Sequence, residues 1–74
     1  MAKKILELNG LIHGQFDSEA AFARHIGWVK QRLNKIMNGT KQPSLEEVQT
    51  IADGLDVPFM MVANIFLRQK SPNG

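Results

Sequence analysis

The sequence contains no cysteine, so it can form neither a disulfide bond nor a cysteine-based zinc site. It also has no stretch approaching the roughly 18 apolar residues of a membrane span. The N-terminus carries two lysines but lacks the long apolar core and cleavage site of a secretory signal. A chain of 74 residues, 43% hydrophobic and 22% charged, is therefore expected to fold as one small cytoplasmic domain.

Acidic residues are missing from the middle of the chain. No aspartate or glutamate lies between Ala20 and Leu45, although the chain has seven in total. The same window contains Arg24, Lys30, Arg32, Lys35 and Lys41. A clustered basic surface is typical of proteins that bind a phosphate backbone. On charge alone, a solvated basic face without a ligand explains the window equally well.

Strand-like alternation is absent, and apolar residues recur every three or four positions, which is the period of an α-helix. The spacing predicts five helices, over about residues 3–13, 18–26, 29–37, 45–55 and 58–70. In the fourth helix the inward stripe is expected to begin at Leu45 and continue through Val48 and Ile51. Residues 1–70 are expected to form a single domain, and residues 71–74 a polar tail.

Several residues predict where these helices begin and end. Asp17 or Ser18 can cap the second helix, and Gly27 can end it in a left-handed conformation. Ser44 followed three residues later by Glu47 is a capping box at the start of the fourth helix. Residues 18–38 then form two short helices joined by a glycine turn, which is the pattern of a helix-turn-helix.

Ala23, Gly27 and Leu33 have the spacing that this unit requires. A small residue is needed where the helices cross, a glycine at the turn, and an aliphatic residue that pins the second helix to the core. Trp28, next to the glycine, is expected to cover the core rather than to stack on a base. An Ala-x-x-x-Gly match alone is weak, but the complete pattern with a basic second helix is specific.

The run from Ser18 to Leu55 resembles the lambda-repressor/Cro-like, or Xre-type, helix-turn-helix family. The family's usual progression corresponds to Phe22-Ala23, Gly27, Gly39, Pro43, Ser44, Ala52, Leu55 and Val57. The resemblance implies an all-α, compact five-helix lambda-repressor-like domain that binds double-stranded DNA. It further implies that the third helix enters the major groove and that the chain acts as a homodimer.

The resemblance also implies which residues contact DNA. The base-reading positions are Val29, Lys30, Gln31, Asn34 and Lys35. Their chemistry is suitable, because lysine can donate to guanine and glutamine can pair with adenine in two hydrogen bonds. The expected phosphate contacts are Arg32, Asn38, Gly39 and Lys41.

Three positions depart from the family's pattern. Glu19 stands where a DNA-contacting glutamine is usual, and it remains a candidate contact of the second helix. Val29 stands where the family usually has a capping serine or threonine, and its side chain cannot cap. Met37 replaces a glutamate that many members pair with an arginine, so apolar packing is expected there.

The last predicted helix is apolar over more than one face, and a small monomer cannot bury every face of such a helix. An exposed apolar patch of this kind usually marks an interface. The expected homodimer contact comprises Phe59, Met60, Val62, Ile65, Phe66 and Leu67. Two-fold symmetry would then match a near-palindromic operator, with the recognition helices about 34 Å apart.

The sequence thus predicts a repressor-like transcriptional regulator of phage or bacterial type. An antitoxin-like protein that binds both operator DNA and a protein partner is the nearest alternative, and a protein-interaction module on the same fold is a more distant one. No nucleophile–base pair or phosphate loop is present, so an enzyme is not expected. His13 and His25 lie on different predicted helices without ligating neighbours, so neither a metal nor a cofactor is expected.

Overall fold

The computed structural model describes residues 5–69, and these residues confirm the predicted all-α architecture. The elements are α1 (Leu6–Gln15), α2 (Glu19–His25), α3 (Lys30–Met37), α4 (Leu45–Leu55) and α5 (Phe59–Gln69). None of these five helices combines the length and the apolar character that crossing a membrane requires. The predicted start of the first helix at residue 3 and the polar tail at 71–74 lie outside the described residues.

Helix α1 extends to Gln15, two residues beyond the predicted end, because Gly14 is accommodated inside the helix. A glycine within a helix costs only about 1 kcal/mol relative to alanine, which tertiary contacts can offset. One such contact is present here, since the Gln15 side-chain amide donates to the Leu55 carbonyl oxygen at 2.8 Å. The other end of α1 is tied to α3, because the Ile5 N–H donates to the Met37 carbonyl oxygen at 2.9 Å.

The caps of α2 and α4 follow the sequence signals. Ser18, rather than Asp17, caps α2 by accepting a hydrogen bond from the Ala21 N–H at 3.1 Å. At α4 the Ser44 hydroxyl accepts from the Glu47 N–H at 3.1 Å, and the Glu47 carboxylate accepts from the Ser44 N–H at 2.9 Å. The predicted capping box is therefore confirmed in both of its hydrogen bonds.

One core draws side chains from all five helices. Its fully buried large members are Leu8, Ile12, Phe22, Leu33, Ile36, Met37, Ile51, Leu55 and Val62. The prediction that Leu45 begins the inward stripe of α4 was wrong, because its side chain is 76% exposed. Val48, one turn later, is the first core residue of α4, and Leu45 instead lines a surface groove beside Pro43 and Leu67.

Helices α2 and α4 approach each other closely at Gly54. A Cβ atom added there would overlap the Ile26 side chain and would come within 3.0 Å of the Phe22 ring. The glycine therefore serves close packing rather than an unusual backbone conformation. This contact packs α2 against α4, and α2 in turn helps to position α3.

Candidate nucleic-acid interface

The turn between α2 and α3 has the geometry that its sequence predicts. Gly27 has φ of 78°, in the left-handed region where a side chain is strained. The Trp28 N–H then donates to the Ala23 carbonyl oxygen at 2.8 Å, which closes the C-terminus of α2. The Trp28 side chain is buried in the core, as expected, and α3 begins two residues later.

Helix α3 has one buried face and one exposed face. Leu33, Ile36 and Met37 are completely buried, and Met37 packs in the core as the loss of the family's ion pair predicts. The exposed face carries four of the five proposed base-reading residues, namely Val29, Lys30, Gln31 and Lys35, and the fifth, Asn34, is half-buried. Base reading by these residues stays a prediction.

The start of α3 lacks a side-chain cap, as expected from Val29 at the N-cap position. Val29 has an extended backbone, and its carbonyl oxygen accepts from the Arg32 N–H at 3.1 Å. Its side chain is 66% exposed. The first turn of α3 therefore presents an apolar side chain and backbone N–H groups that no side chain of the N-cap residue satisfies.

A chain of part-buried polar side chains links the beginning of α2 to the end of α3. The Asn38 amide donates to the Asn34 side-chain oxygen at 2.9 Å, and the Asn34 amide donates to Glu19 at 3.5 Å. Glu19 is buried, so its carboxylate belongs mainly to this junction between the two helices. A DNA contact by Glu19 stays a prediction, and little of its surface is available for one.

The backbone amides at the end of α3 are occupied by the helix itself. The Gly39 N–H donates to the Ile36 carbonyl oxygen at 3.1 Å. The Thr40 and Lys41 N–H groups both donate to the Lys35 carbonyl oxygen, at 2.9 and 3.1 Å. A phosphate contact near Gly39 would therefore depend mainly on side chains.

Glu47 gathers two cations on a single oxygen atom. The Arg32 guanidinium donates to Glu47 Oε2 through Nε at 3.1 Å and through Nη2 at 2.9 Å, and Lys41 Nζ donates to the same oxygen at 2.9 Å. The guanidinium also lies over the Trp28 ring, 4.3 Å from its centroid. One carboxylate thus joins α3, the α3–α4 loop and the start of α4.

These contacts keep Glu47 ionised. The pKa of Glu47 falls from its ordinary value of 4.5 to about 2, chiefly because its carboxylate accepts a hydrogen bond from the Ser44 N–H. Burial opposes this change, and the hydrogen bonds from Lys41 and Arg32 reinforce it. The carboxylate therefore carries its full negative charge at neutral pH.

The five cations of the acid-free window divide into two sets. Arg24, Lys30 and Lys35 are exposed, and within residues 5–69 no ion pair joins them to a carboxylate. We call these the open cations. Arg32 and Lys41, which we call the compensated cations, both pair with Glu47.

The sequence pattern does not predict this division, because Glu47 lies outside the acid-free window in sequence but contacts Arg32 and Lys41 in the folded chain. The capping box was the available signal. It fixes the Glu47 side chain at the start of α4, directly after the loop that carries Lys41.

Helix α5 has fewer accessible apolar residues than the predicted dimer interface requires. Val62, Ile65 and Phe66 are buried in the core of the chain itself, so little of their surface is available for a dimer contact, and their part in one stays a prediction. These residues are buried because α5 packs against both α4 and α1, which covers one side of it. Phe59 is partly buried, whereas Met60 and Leu67 remain 58% and 62% exposed, with Met61 beside them.

His13 lies on α1 and His25 on α2, and the centroid of the His25 ring lies 5.0 Å from that of the Phe16 ring. Within residues 5–69 no group of three or more histidines or carboxylates could hold a metal ion.

A family model described as helix-turn-helix matches residues 18–60, which is more than half of the chain. The match begins at the cap of α2, includes the glycine turn, α3 and α4, and ends at the start of α5. No curated protein and no solved structure matches the chain. The family match covers more than half of the chain, and the five-helix fold agrees with it. The chain therefore belongs to the lambda-repressor/Cro-like, Xre-type helix-turn-helix family of DNA-binding proteins.

Proposed function

We propose that the protein is a sequence-specific transcriptional regulator that inserts α3 into the major groove of operator DNA and represses by occlusion. The observation that carries this proposal is the exposed face of α3. It presents Lys30 and Lys35, which pair with no carboxylate in the part of the chain that the structure describes, on a helix whose opposite face is buried in the core. Such a helix can lie in a groove without disturbing the fold.

Base reading is assigned to the first two turns of α3. Lys30 can donate to guanine O6 and N7, and Gln31 can pair with adenine N6 and N7. Val29, exposed at the tip of the helix, suits contact with a thymine methyl group. Asn34 and Lys35 lie about one turn further along, where they can extend the reading or reach the backbone.

Phosphate contacts are assigned to side chains at the end of α3 and in the following loop. Asn38 and Lys41 are the proposed anchors there, together with the exposed edge of Arg32. The compensated cations keep part of their donor capacity, because each side chain is 45% exposed. Their positive charge is nevertheless offset by Glu47, so the open cations supply most of the long-range attraction.

A homodimer on a near-palindromic operator completes the proposal, with the protein acting in the cytoplasm. The contact would use the exposed apolar residues of α5, Met60 and Leu67, with Met61 beside them. Light scattering at micromolar concentration tests it. A stable dimer is expected, and a monomer that still binds a palindrome tightly would count against this interface.

An antitoxin-like protein is the second candidate, because the same exposed face of α5 suits a different protein as well as a second copy. Both candidates share the DNA contacts, and co-purification with a specific partner separates them. A pure interaction module is less well supported, since it has no need of three open cations around α3.

Equilibrium binding to a random-sequence duplex across a salt series tests the proposal of DNA binding. Phosphate contacts release counterions, so log K must fall linearly with log salt concentration. A flat plot would contradict the proposal. Selection from a random DNA library would then yield the operator, and failure to enrich any sequence would argue against specific recognition.

A further inference from the structure

Both compensated cations direct donors that could bind phosphate to the carboxylate of Glu47 instead. Arg32 directs its Nε and Nη2 atoms at Glu47 Oε2, and these two atoms form an edge suited to a bidentate contact with phosphate. Lys41 directs Nζ at the same oxygen. A DNA phosphate that approaches here must use the remaining donors or displace Glu47.

Displacement is unfavourable because of where the carboxylate lies. The Glu47 side chain is only 7% exposed, whereas both cations are 45% exposed. Transferring both cations to a phosphate would leave a buried carboxylate without its partners, which is costly. The Ser44 N–H would still hold the other oxygen and prevent the carboxylate from turning to solvent.

The formal charges of the side chains around Arg32 and Lys41 also cancel. Arg32 and Lys41 line one shallow cleft with Glu46 and Glu47, which gives two positive and two negative charges. The open cations, by contrast, form no ion pair with a carboxylate within residues 5–69. The positive charge of the acid-free window is therefore compensated at Arg32 and Lys41 but not by an ion pair at Lys30 and Lys35 on the exposed face of α3.

We infer that Glu47 sets the strength of the phosphate contacts, because it compensates Arg32 and Lys41 and thereby weakens the attraction of the protein for the DNA backbone. The inference rests on the proposed function. Sequence-independent affinity arises almost entirely from phosphate contacts, whereas preferred-site affinity also includes base contacts. Because both complexes share the phosphate contacts, compensating two cations lowers affinity for random DNA and affinity for the operator by a similar factor.

Glu47→Gln is the informative variant, because glutamine serves in a capping box as well as glutamate does. Its amide oxygen can still accept from the Ser44 N–H, and its NH₂ group then faces two cations that need an acceptor. The variant therefore keeps the cap and releases Arg32 and Lys41. Circular dichroism and a thermal melt verify that it remains folded.

Glu46→Gln is the matched control. It makes the same change of one charge at the neighbouring position, where the exposed side chain has no hydrogen bond to either cation in the described structure. Any difference between the two variants measures the release of the cations rather than the change in net charge.

Binding of the intact chain to a random duplex and to its selected site is measured across a salt series. For Glu47→Gln we expect random-duplex affinity to rise by about tenfold, with the salt slope steeper by about one to two. Affinity for the selected site should rise by a similar factor, because the base contacts are unchanged. Glu46→Gln should raise affinity less and leave the slope unchanged.

Lys41→Gln provides a second test in both backgrounds. It should reduce random-duplex affinity little in the otherwise unaltered chain, and several-fold in the Glu47→Gln chain, where Lys41 is free. Trp28, the only tryptophan, reports whether Arg32 has moved, because its ring lies beneath the guanidinium. Its emission should change in Glu47→Gln and stay constant in Glu46→Gln.

The outcomes separate the inference from the proposed function. If the unaltered chain binds DNA and Glu47→Gln behaves like Glu46→Gln, or binds random DNA more weakly, the inference is wrong and DNA binding stands. If neither the unaltered chain nor any variant binds a duplex, the proposed function is wrong and the inference falls with it.

Discussion

The open cations and the compensated cations come from one acid-free stretch of sequence, yet they have different electrostatic environments. Lys30 and Lys35 extend from α3 without a carboxylate partner in the described residues, whereas Arg32 and Lys41 are held by Glu47. Helical geometry separates them, because α3 turns Arg32 towards Trp28 and the start of α4. A stretch of sequence without acidic residues can therefore still have a carboxylate beside its cations in the folded protein.

The largest effect is expected when the packing that holds α3 against the core is disrupted. Leu33 is completely buried beneath α3, so Leu33→Ala should lower the free energy of unfolding by about 2–5 kcal/mol. Chemical denaturation measures the change. Val29→Ala on the exposed face is the control and should change stability by about 0.5 kcal/mol or less. Equal effects would mean that Leu33 does not anchor α3.

The second-largest effect is expected at the proposed base-reading residues of α3. Gln31→Ala should cost about 1–3 kcal/mol of binding free energy at the preferred site and almost nothing on random DNA. Lys30→Ala should cost a similar amount at the preferred site and also flatten the salt slope by about one. Competition binding with both duplexes gives these values, and equal losses on the two DNAs for Gln31→Ala would show that it does not read bases.

Acid tests the compensated set, because the pKa of Glu47 is lowered in the folded state from 4.5 to about 2. Its stabilising contribution is complete above about pH 4.5 and disappears as the pH falls towards 2. We expect a loss on the order of 1–2 kcal/mol, since the partner cations are nearly half exposed and screened.

The measurement is the free energy of unfolding against pH for the unaltered chain and for Glu47→Gln. The difference between the two curves should narrow as the pH falls. Parallel curves would show that Glu47 has no special role in acid sensitivity.

The smallest effect is expected at the ion pair between Glu7 and Arg68. Arg68 Nη2 lies 2.7 Å from Glu7 Oε2, but both side chains are more than half exposed. An exposed pair of this kind contributes about 0–1 kcal/mol. Glu7→Gln should therefore change thermal stability much less than Glu47→Gln, and a comparable loss would mean that burial does not distinguish the two carboxylates.

Local signals predicted most of the helical framework. Ser18, Gly27 and the Ser44–Glu47 box each act through backbone hydrogen bonds within a few residues, so the sequence alone identifies them. The burial of Leu33 and Ile36 likewise follows from helical periodicity. These features were predictable because their physical causes are short-range.

The features that the sequence alone did not identify depend on how the helices pack against one another. Leu45 satisfies the periodicity of α4 but lies outside the core, and Phe66 faces the core although its helix is apolar on several sides. The pairing of Arg32 with Glu47 spans fifteen residues, and the close packing at Gly54 depends on α2. Periodicity identifies an apolar face but not how much of that face the neighbouring helices cover.

The most direct test of the account is the salt dependence of binding to a random duplex, since it counts the phosphates that the protein neutralises. We expect a linear decrease of log K with log salt, with a slope of about −2 to −3 per chain for the three open cations. A flat line would contradict DNA binding. A slope near about −4.5, as expected if all five cations were free, would contradict the division into open and compensated sets.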